Sequence, residues 1–328
     1  MAEKGTKKTA KIKQKTIVVS LGGNVIIRRG ESGTIEEQFR NTELACRCVA
    51  GLVNDGHRVI ITHGNGPVVG NILIRNEAAG AEIPSMPLYI CDADSEGGLG
   101  FMIQQALHNE FVKRHSIKNV VTVVTQVTVD PKDPAFKDPT KPIGPFYTKE
   151  QSERLTLEKG WVMLEDSGRG WRRNVASPRP VRIIEADVIK TLTRNNVVVI
   201  AAGGGGVPVT EATDGTLAGI DAVIDKDFAT ATLANQLGAE LFINLTQIEC
   251  AYLDFGKARQ KKVSKMTTKE ARYYLAEDHF KAGSMRPKIE AAVEFVEESK
   301  NRNASVIITT PELIKEAMAG KAGTRVTK

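Results

Sequence analysis

The residues able to do chemistry in this chain are mainly lysines, glycines and carboxylates. Asp225-Lys226-Asp227 interrupts the apolar approach Ala222-Val223-Ile224 and opens a helical run from Phe228 to Leu237. A lysine between two carboxylates near a helix start offers a fixed cation to a transferring phosphoryl group, while an acid orients the lysine or a magnesium-bound water. Farther on, Gly283-Ser284-Met285-Arg286-Pro287-Lys288 reads as a helix entry, with Ser284 as the cap and proline in the first turn. A lysine at the positive end of a helix is unfavourable by about 0.3–1 kcal/mol unless an anion binds nearby, so Lys288 points to a phosphate. Either motif alone would also suit a solvated charge cluster.

Glycine-rich turns supply the second signal. Gly22-Gly23-Asn24 follows the run Thr16 to Leu21, His63-Gly64-Asn65-Gly66-Pro67 follows Arg58 to Thr62, and Gly203 to Gly206 follow Val197 to Ala202. Open α/β sheets bind ligands at the carboxyl ends of their strands, and glycine lets backbone amides approach an anion. Both common nucleotide fingerprints are missing: there is no GxxxxGK[ST], and Gly64 to Gly70 has one residue too many for GxGxxG. No HExxH, CxxC or GxSxG occurs, so neither a metal site nor a nucleophilic serine is expected, and of the five histidines only His63 lies at a strand end beside a glycine turn. That inventory suits direct phosphoryl transfer, which relies on positioning and charge neutralisation.

Elements must hold these turns in place. Short β-branched runs at Thr16 to Leu21, Arg58 to Thr62, Val120 to Gln126, Val197 to Ala202, Leu241 to Thr246 and Ser305 to Thr309 alternate with segments of helical spacing. Ile35, Phe39, Cys46, Val49 and Val53 share one helical face, and Ile289, Val293 and Val296 another. Continuous apolar strands alternating with helices predict an α/β fold around a mainly parallel open sheet covered on both faces. Residues 127–180 break the rhythm with many prolines and both tryptophans, Trp161 and Trp171, and read as an inserted lid or protruding subdomain with a ligand-facing role, the alternative being a subunit contact.

Composition excludes several classes. A chain of 328 residues with 41% hydrophobic content can fill a large core, and no apolar stretch approaches the roughly 20 residues of a membrane span. The formal charge of +6 is concentrated in residues 1–15, where six lysines face only Glu3; the body carries +1. Residues 1–15 are expected to be a disordered basic tail and 16–328 a single domain, without nucleic-acid or membrane partners. Cys46, Cys48, Cys91 and Cys250 are too scattered for a disulfide framework, which favours reduced thiols in the cytoplasm.

Taken together, these segments resemble the carbamate kinases of the amino acid kinase superfamily, from about Lys15 to the C-terminus. The resemblance rests on Ser20 to Asn24, His63 to Pro67, Thr140 to Phe146, Gly168 to Arg172, Val223 to Asp227 and Gly283 to Lys288, in that order. It implies a three-layer αβα sandwich with a protruding lid, a homodimer, and reversible Mg²⁺-dependent transfer between ATP and carbamate, with ADP plus carbamoyl phosphate giving ATP in arginine breakdown. It also implies that Gly22, Gly23 and Asn24 hold the transferring phosphoryl group and that Gly64, Asn65 and Gly66 enclose the small substrate. Lys226 and Lys288 would neutralise phosphate charge from the nucleotide side, Lys141 on the lid would reach the acceptor, and Asp225 would orient the lysines. Asp227, Ser284, Met285, Gly203, Gly204 and Phe255 complete the expected nucleotide site.

Several positions depart from the family pattern. Cys91-Asp92-Ala93-Asp94-Ser95-Glu96-Gly97 stands where a segment resembling Cys-Gly-Ala-Met-Ser-Gln-Gly is usual; Val68, Gln247 and Asn174-Val175-Ala176 also differ. Acids beside an anion site would weaken binding, so Asp92, Asp94 and Glu96 are expected to face solvent or a subunit interface. The alternatives are another small-acid kinase of the superfamily and a catalytically weak nucleotide-binding protein.

Overall fold

The computed structural model describes residues 13–28, 30–166, 168, 170–281 and 284–328. Residues 1–12 of the basic tail, Arg169 and Gly283 lie outside the described residues. In chain order the strands are β1 (Thr16–Leu21), β2 (Arg58–His63), β3 (Val120–Thr122), β4 (Gln126–Val129), β5 (Lys141–Tyr147), β6 (Val162–Glu165), β7 (Trp171–Val175), β8 (Pro180–Ile183) and β9 (Val198–Ile200). They continue as β10 (Val207–Glu211), β11 (Leu217–Gly219), β12 (Leu241–Leu245), β13 (Ala251–Leu253), β14 (Lys261–Val263), β15 (Lys265–Thr267), β16 (Ser305–Thr309) and β17 (Thr324–Thr327). The helices are α1 (Gly23–Ile26), α2 (Ile35–Asn54), α3 (Gly66–Ala78), α4 (Leu88–Lys113), α5 (Lys149–Lys159), α6 (Ala186–Arg194), α7 (Lys226–Leu237), α8 (Thr268–Ala276), α9 (Met285–Glu298) and α10 (Ile314–Met318).

The main sheet has the order β15-β17-β16-β12-β1-β2-β9-β3, parallel throughout except at β16 and β17. Its strands are apolar along their whole length because each side chain has a core to enter, whichever way it points. Val18, Ile60, Val199 and Phe242 face one core with α6, α7 and α9. Ile17, Val19, Ile61 and Ile243 face the other with α2, α4 and α10. The result is the expected three-layer αβα arrangement. No helix among the described residues is long and apolar enough to cross a membrane.

Two sequence readings change in detail. The run Val120 to Gln126 is split: β3 ends at Thr122, and β4 starts at Gln126 in a separate sheet of order β11-β10-β4-β8. On α2, Cys46, Val49 and Val53 are buried as expected, whereas Ile35 is exposed in the first turn, ahead of the region that meets the sheet.

The inserted segment is more ordered than its prolines suggest. Within it, β5, β7 and β6 form an antiparallel sheet backed by α5, whose Thr148 and Gln151 make a capping box. Arg173 lies over the Trp161 ring at 4.3 Å, and Lys159 of α5 pairs with Glu77 of α3. The lid backbone also meets α3 directly: a Cβ added to Gly70 would fall 2.6 Å from Gly144 Cα and 2.7 Å from Gly144 N. Both neighbours are main chain and cannot rotate aside. Gly70→Ala is therefore expected to destabilise the fold by about 1–3 kcal/mol, with protease cleavage within residues 141–175 preceding cleavage elsewhere. Thermal unfolding and limited proteolysis check this; an unchanged midpoint and cleavage pattern would show that the lid does not depend on this contact.

Candidate active site

Parallel register brings the glycine turns together. Leu21 pairs with both His63 and Leu245, and Leu245 with Thr309, so the loops after β1, β2, β12 and β16 leave one edge of the sheet side by side. Gly64 shows how closely they pack: its added Cβ would lie 2.9 Å from Gly23 N and 3.0 Å from Lys226 Cδ. These turns enclose a cavity of about 240 Å³ lined by Gly22, Gly23, Asn24, Gly64, Asn65, Gly66, Lys141, Gly204, Asp225, Lys226, Asp227, Ser284 and Lys288, together with Pro67, Thr246 and Pro287.

Charge in this cavity is organised by two carboxylates. Asp225 is the N-cap of α7 and accepts the Asp227 amide at 2.9 Å, while its Oδ2 accepts from Lys141 Nζ at 3.1 Å. Asp227, 3% exposed, takes Lys226 Nζ at 2.5 Å on Oδ1 and Lys288 Nζ at 2.9 Å on Oδ2. Asn244 donates to Oδ1 at 2.6 Å, and Lys226 also reaches Ser20 Oγ at 3.3 Å. The acid that holds Lys226 and Lys288 is thus Asp227, and Asp225 holds Lys141. The sequence reading had given Asp225 the whole task, because spacing alone does not say which neighbour a long lysine side chain will reach.

Burial and pairing set the protonation states. Burial opposes ionisation of Asp227, but Lys226 and Lys288 overcome it and hold the carboxyl far below its usual range. Burial pushes Lys226 down to about 8 against the attraction of Asp227, with Lys288 adding to the fall. Lys288 itself is raised, since Asp227 outweighs its burial. His63 is fully buried and driven down to about 4, leaving a neutral ring whose Nε2 has no partner among the described residues.

Not every expected site residue lines the cavity. Met285 turns into the core beneath α9, and Phe255, 42% exposed and 5.8 Å from the Tyr252 ring, stands away from the lining. Gly203 sits behind Gly204, where a Cβ would strike His63 Nε2 at 2.3 Å. Ser284 precedes α9 and lines the cavity, but its side chain makes no capping bond. Reading for motifs gave no site role to Asn244 or to Ser20, which entered only as the first residue of the Ser20 to Asn24 segment. Each is a polar residue near the end of an otherwise apolar buried strand, and that interruption was the available signal.

The acids of α4 overturn a second expectation. Asp94 is exposed, but Asp92 and Glu96 are buried at 3% and 1% exposure. Their i,i+4 spacing puts both on the inward face of the helix with Ser95 and Leu99. Buried carboxyls persist where hydrogen bonds offset desolvation. Glu96 Oε1 accepts from Gly203 N at 2.9 Å and Oε2 from Thr125 N at 3.0 Å, which ties the glycine turn to the β3–β4 loop. Burial still drives Glu96 up to about 8. Asp92 Oδ1 accepts from Asn65 Nδ2 at 3.1 Å. These partners are distant in sequence, so α4 alone gave no hint of them. The departure at Gln247 is also accommodated, since its amide donates to Asn24 O at 2.7 Å.

Comparison with known proteins agrees with this geometry. The model of the amino acid kinase family matches residues 15–309. The carbamate kinase of Pyrococcus furiosus is 47% identical over 95% of this chain and 99% of its own length, and that of Trichomonas vaginalis 42% identical over 94% and 98%. A solved structure of carbamate kinase from Giardia lamblia bound to AMP-PNP has a TM-score of 0.89 and 41% identity, covering 96% of this chain and 99% of its own. With motif order, sheet topology and whole-chain similarity in agreement, the chain belongs to the amino acid kinase family and, within it, to the carbamate kinases.

Proposed function

We infer that the chain catalyses reversible phosphoryl transfer between ATP and carbamate. The observation that carries this reading is the pair of lysines anchored on one buried carboxylate, Asp227, opposite the glycine turns Gly22 to Asn24 and Gly64 to Gly66. Three lysines and two carboxylates leave the cavity one positive charge in excess, which suits an anionic group passing between two anionic partners. In this reading Gly22, Gly23 and Asn24 hold the transferring group. Lys226 and Lys288 neutralise it from the nucleotide side, Lys141 meets it from the acceptor side, and Ser284 and Gly204 border the nucleotide phosphates. Phe255, beside Tyr252, borders the adenine.

Mg²⁺ belongs to this proposal as part of the nucleotide. Among the described residues no group of three or more His, Cys, Asp and Glu is disposed to hold a metal, and both cavity carboxylates are engaged by lysines. The residues therefore do not form a resident cage; the ion would be held mainly by phosphate oxygens and water, as Mg²⁺ commonly is. We also propose ATP formation from carbamoyl phosphate in arginine breakdown as the useful direction, in the cytoplasm. A homodimer is supported by the groove along α4, about 410 Å³, where Phe101, Val112 and Ile117 expose apolar surface. The direct test is ATP formation from ADP, Mg²⁺ and carbamoyl phosphate; no ATP above background would overturn the reading.

Three further outcomes follow from the geometry. Lys226→Ala is expected to lower turnover by roughly 10²–10³, about 3–4 kcal/mol of transition-state stabilisation. The fold should persist at lower stability, because Lys288 and Asn244 still bond Asp227 although its buried charge is less compensated; near-wild-type turnover would remove Lys226 from the chemistry. In the pH profile, Lys226 is cationic below about 8 and neutral above, so kcat/KM for ADP should fall as pH rises through that value. A flat profile from 7 to 9.5 would contradict it. Lys141→Ala should reduce turnover with carbamoyl phosphate more than it weakens ADP binding measured by calorimetry; the opposite pattern would move Lys141 to the nucleotide side.

A further inference from the structure

Asn65 stands in the turn between β2 and α3 and lines the cavity beside Gly64, Gly66 and Gly204, with only 4% of its surface exposed. Both hydrogens of its amide are spent on α4: Nδ2 donates to Asp92 Oδ1 at 3.1 Å and to Ser95 Oγ at 2.9 Å. The orientation is determined by an independent bond. The Ser95 hydroxyl gives its single hydrogen to the Asp92 carbonyl oxygen at 2.7 Å, so toward Asn65 its oxygen can only accept. Reversing the amide would set its oxygen against the Ser95 oxygen, which has no hydrogen left to give, so the Ser95 contact fixes the orientation.

The opposite end of the amide is free. Asn65 Oδ1 receives no hydrogen bond from the described residues and is not among the fully enclosed polar atoms that lack a partner, so it retains access to the cavity. Asp92 itself is not among the residues that line the cavity. Its Oδ2 is buried with no partner, and burial drives its carboxyl well above the ordinary range against the Asn65 bond and the charge of Lys141. Glu96 and Asp221 act in the same direction as burial.

We propose that Asp92 and Ser95 are specificity-determining positioning residues: by drawing the Asn65 amide nitrogen inward they present a fixed hydrogen-bond acceptor, Oδ1, which selects an acceptor acid bearing N–H donors over its methyl isostere. This rests on the phosphoryl-transfer reading above. Carbamoyl and acetyl groups have nearly the same shape and differ by NH₂ against CH₃. A methyl group would leave Oδ1 desolvated and unpaired, and sites built to hydrogen-bond a substrate group discriminate strongly against analogues that lack it.

The test compares kcat/KM for carbamoyl phosphate and acetyl phosphate in ATP formation from ADP and Mg²⁺. Wild type should prefer carbamoyl phosphate. Asp92→Ala should reduce that preference by about tenfold or more, with the ADP KM little changed. Ser95→Ala removes the other acceptor without touching the carboxyl and should act in the same direction. Asp92→Asn, which keeps a side-chain oxygen for Asn65 and cannot ionise, should restore the wild-type ratio. If wild type turns over carbamoyl phosphate and both alanine variants keep the full preference, the lock is overturned while the transfer reading stands. If wild type makes ATP from neither compound, the transfer reading itself fails. Loss of the preference in Asp92→Asn as severe as in Asp92→Ala would show that Asp92 acts through its charge, against the proposal.

Discussion

A carboxylate buried at the start of a central helix is tolerated only if its charge is met on all sides, and the site is built around meeting the charge of Asp227. Two lysines and Asn244 converge on its two oxygens. Removing any one leaves a buried charge less compensated, which costs far more than loss of an exposed ion pair. Satisfying that charge draws α9 through Lys288, β12 through Asn244 and β1 through the Ser20 contact of Lys226 toward the same point. The two lysines that line the cavity are thus held in place by one buried acid.

Glycine turns solve the complementary problem of space. Lys226 can pass between the β1 and β2 loops only because Gly64 has no side chain, and the same absence lets the Gly23 and Gly64 main chains lie together. Helix α7, whose first residue is Lys226, has buried residues around most of its circumference, so the lysine's base cannot drift. Rigid placement of this kind favours a reaction whose barrier is lowered by alignment and charge rather than by a covalent intermediate.

Much of this was legible in the residues. The runs at Thr16 to Leu21, Leu241 to Thr246 and Ser305 to Thr309 are strands to within a residue, and the turns after them converge because parallel register aligns their ends. Lys226, Lys288 and Lys141 were identified from local incongruity and family resemblance, and all three line one cavity. What escaped was pairing across distance. Whether Asp225 or Asp227 takes a given lysine depends on the rise of α7 and the reach of α9. Asp92 and Glu96 read as surface acids because charge normally marks the wet face of a helix. Their spacing with Leu88, Leu99 and Ile103 was the sign that they belong to the dry one.

The contact of Gly70 with Gly144 has a mechanical meaning. Helix α3 begins at Gly66 and β5 begins at Lys141, and both residues line the cavity. Two main chains in direct apposition, with the Glu77 to Lys159 pair farther along α3, behave as a stiff linkage between these two starting points. A shift of the β5 segment would therefore press on α3, whose first residue lines the same cavity as Lys141.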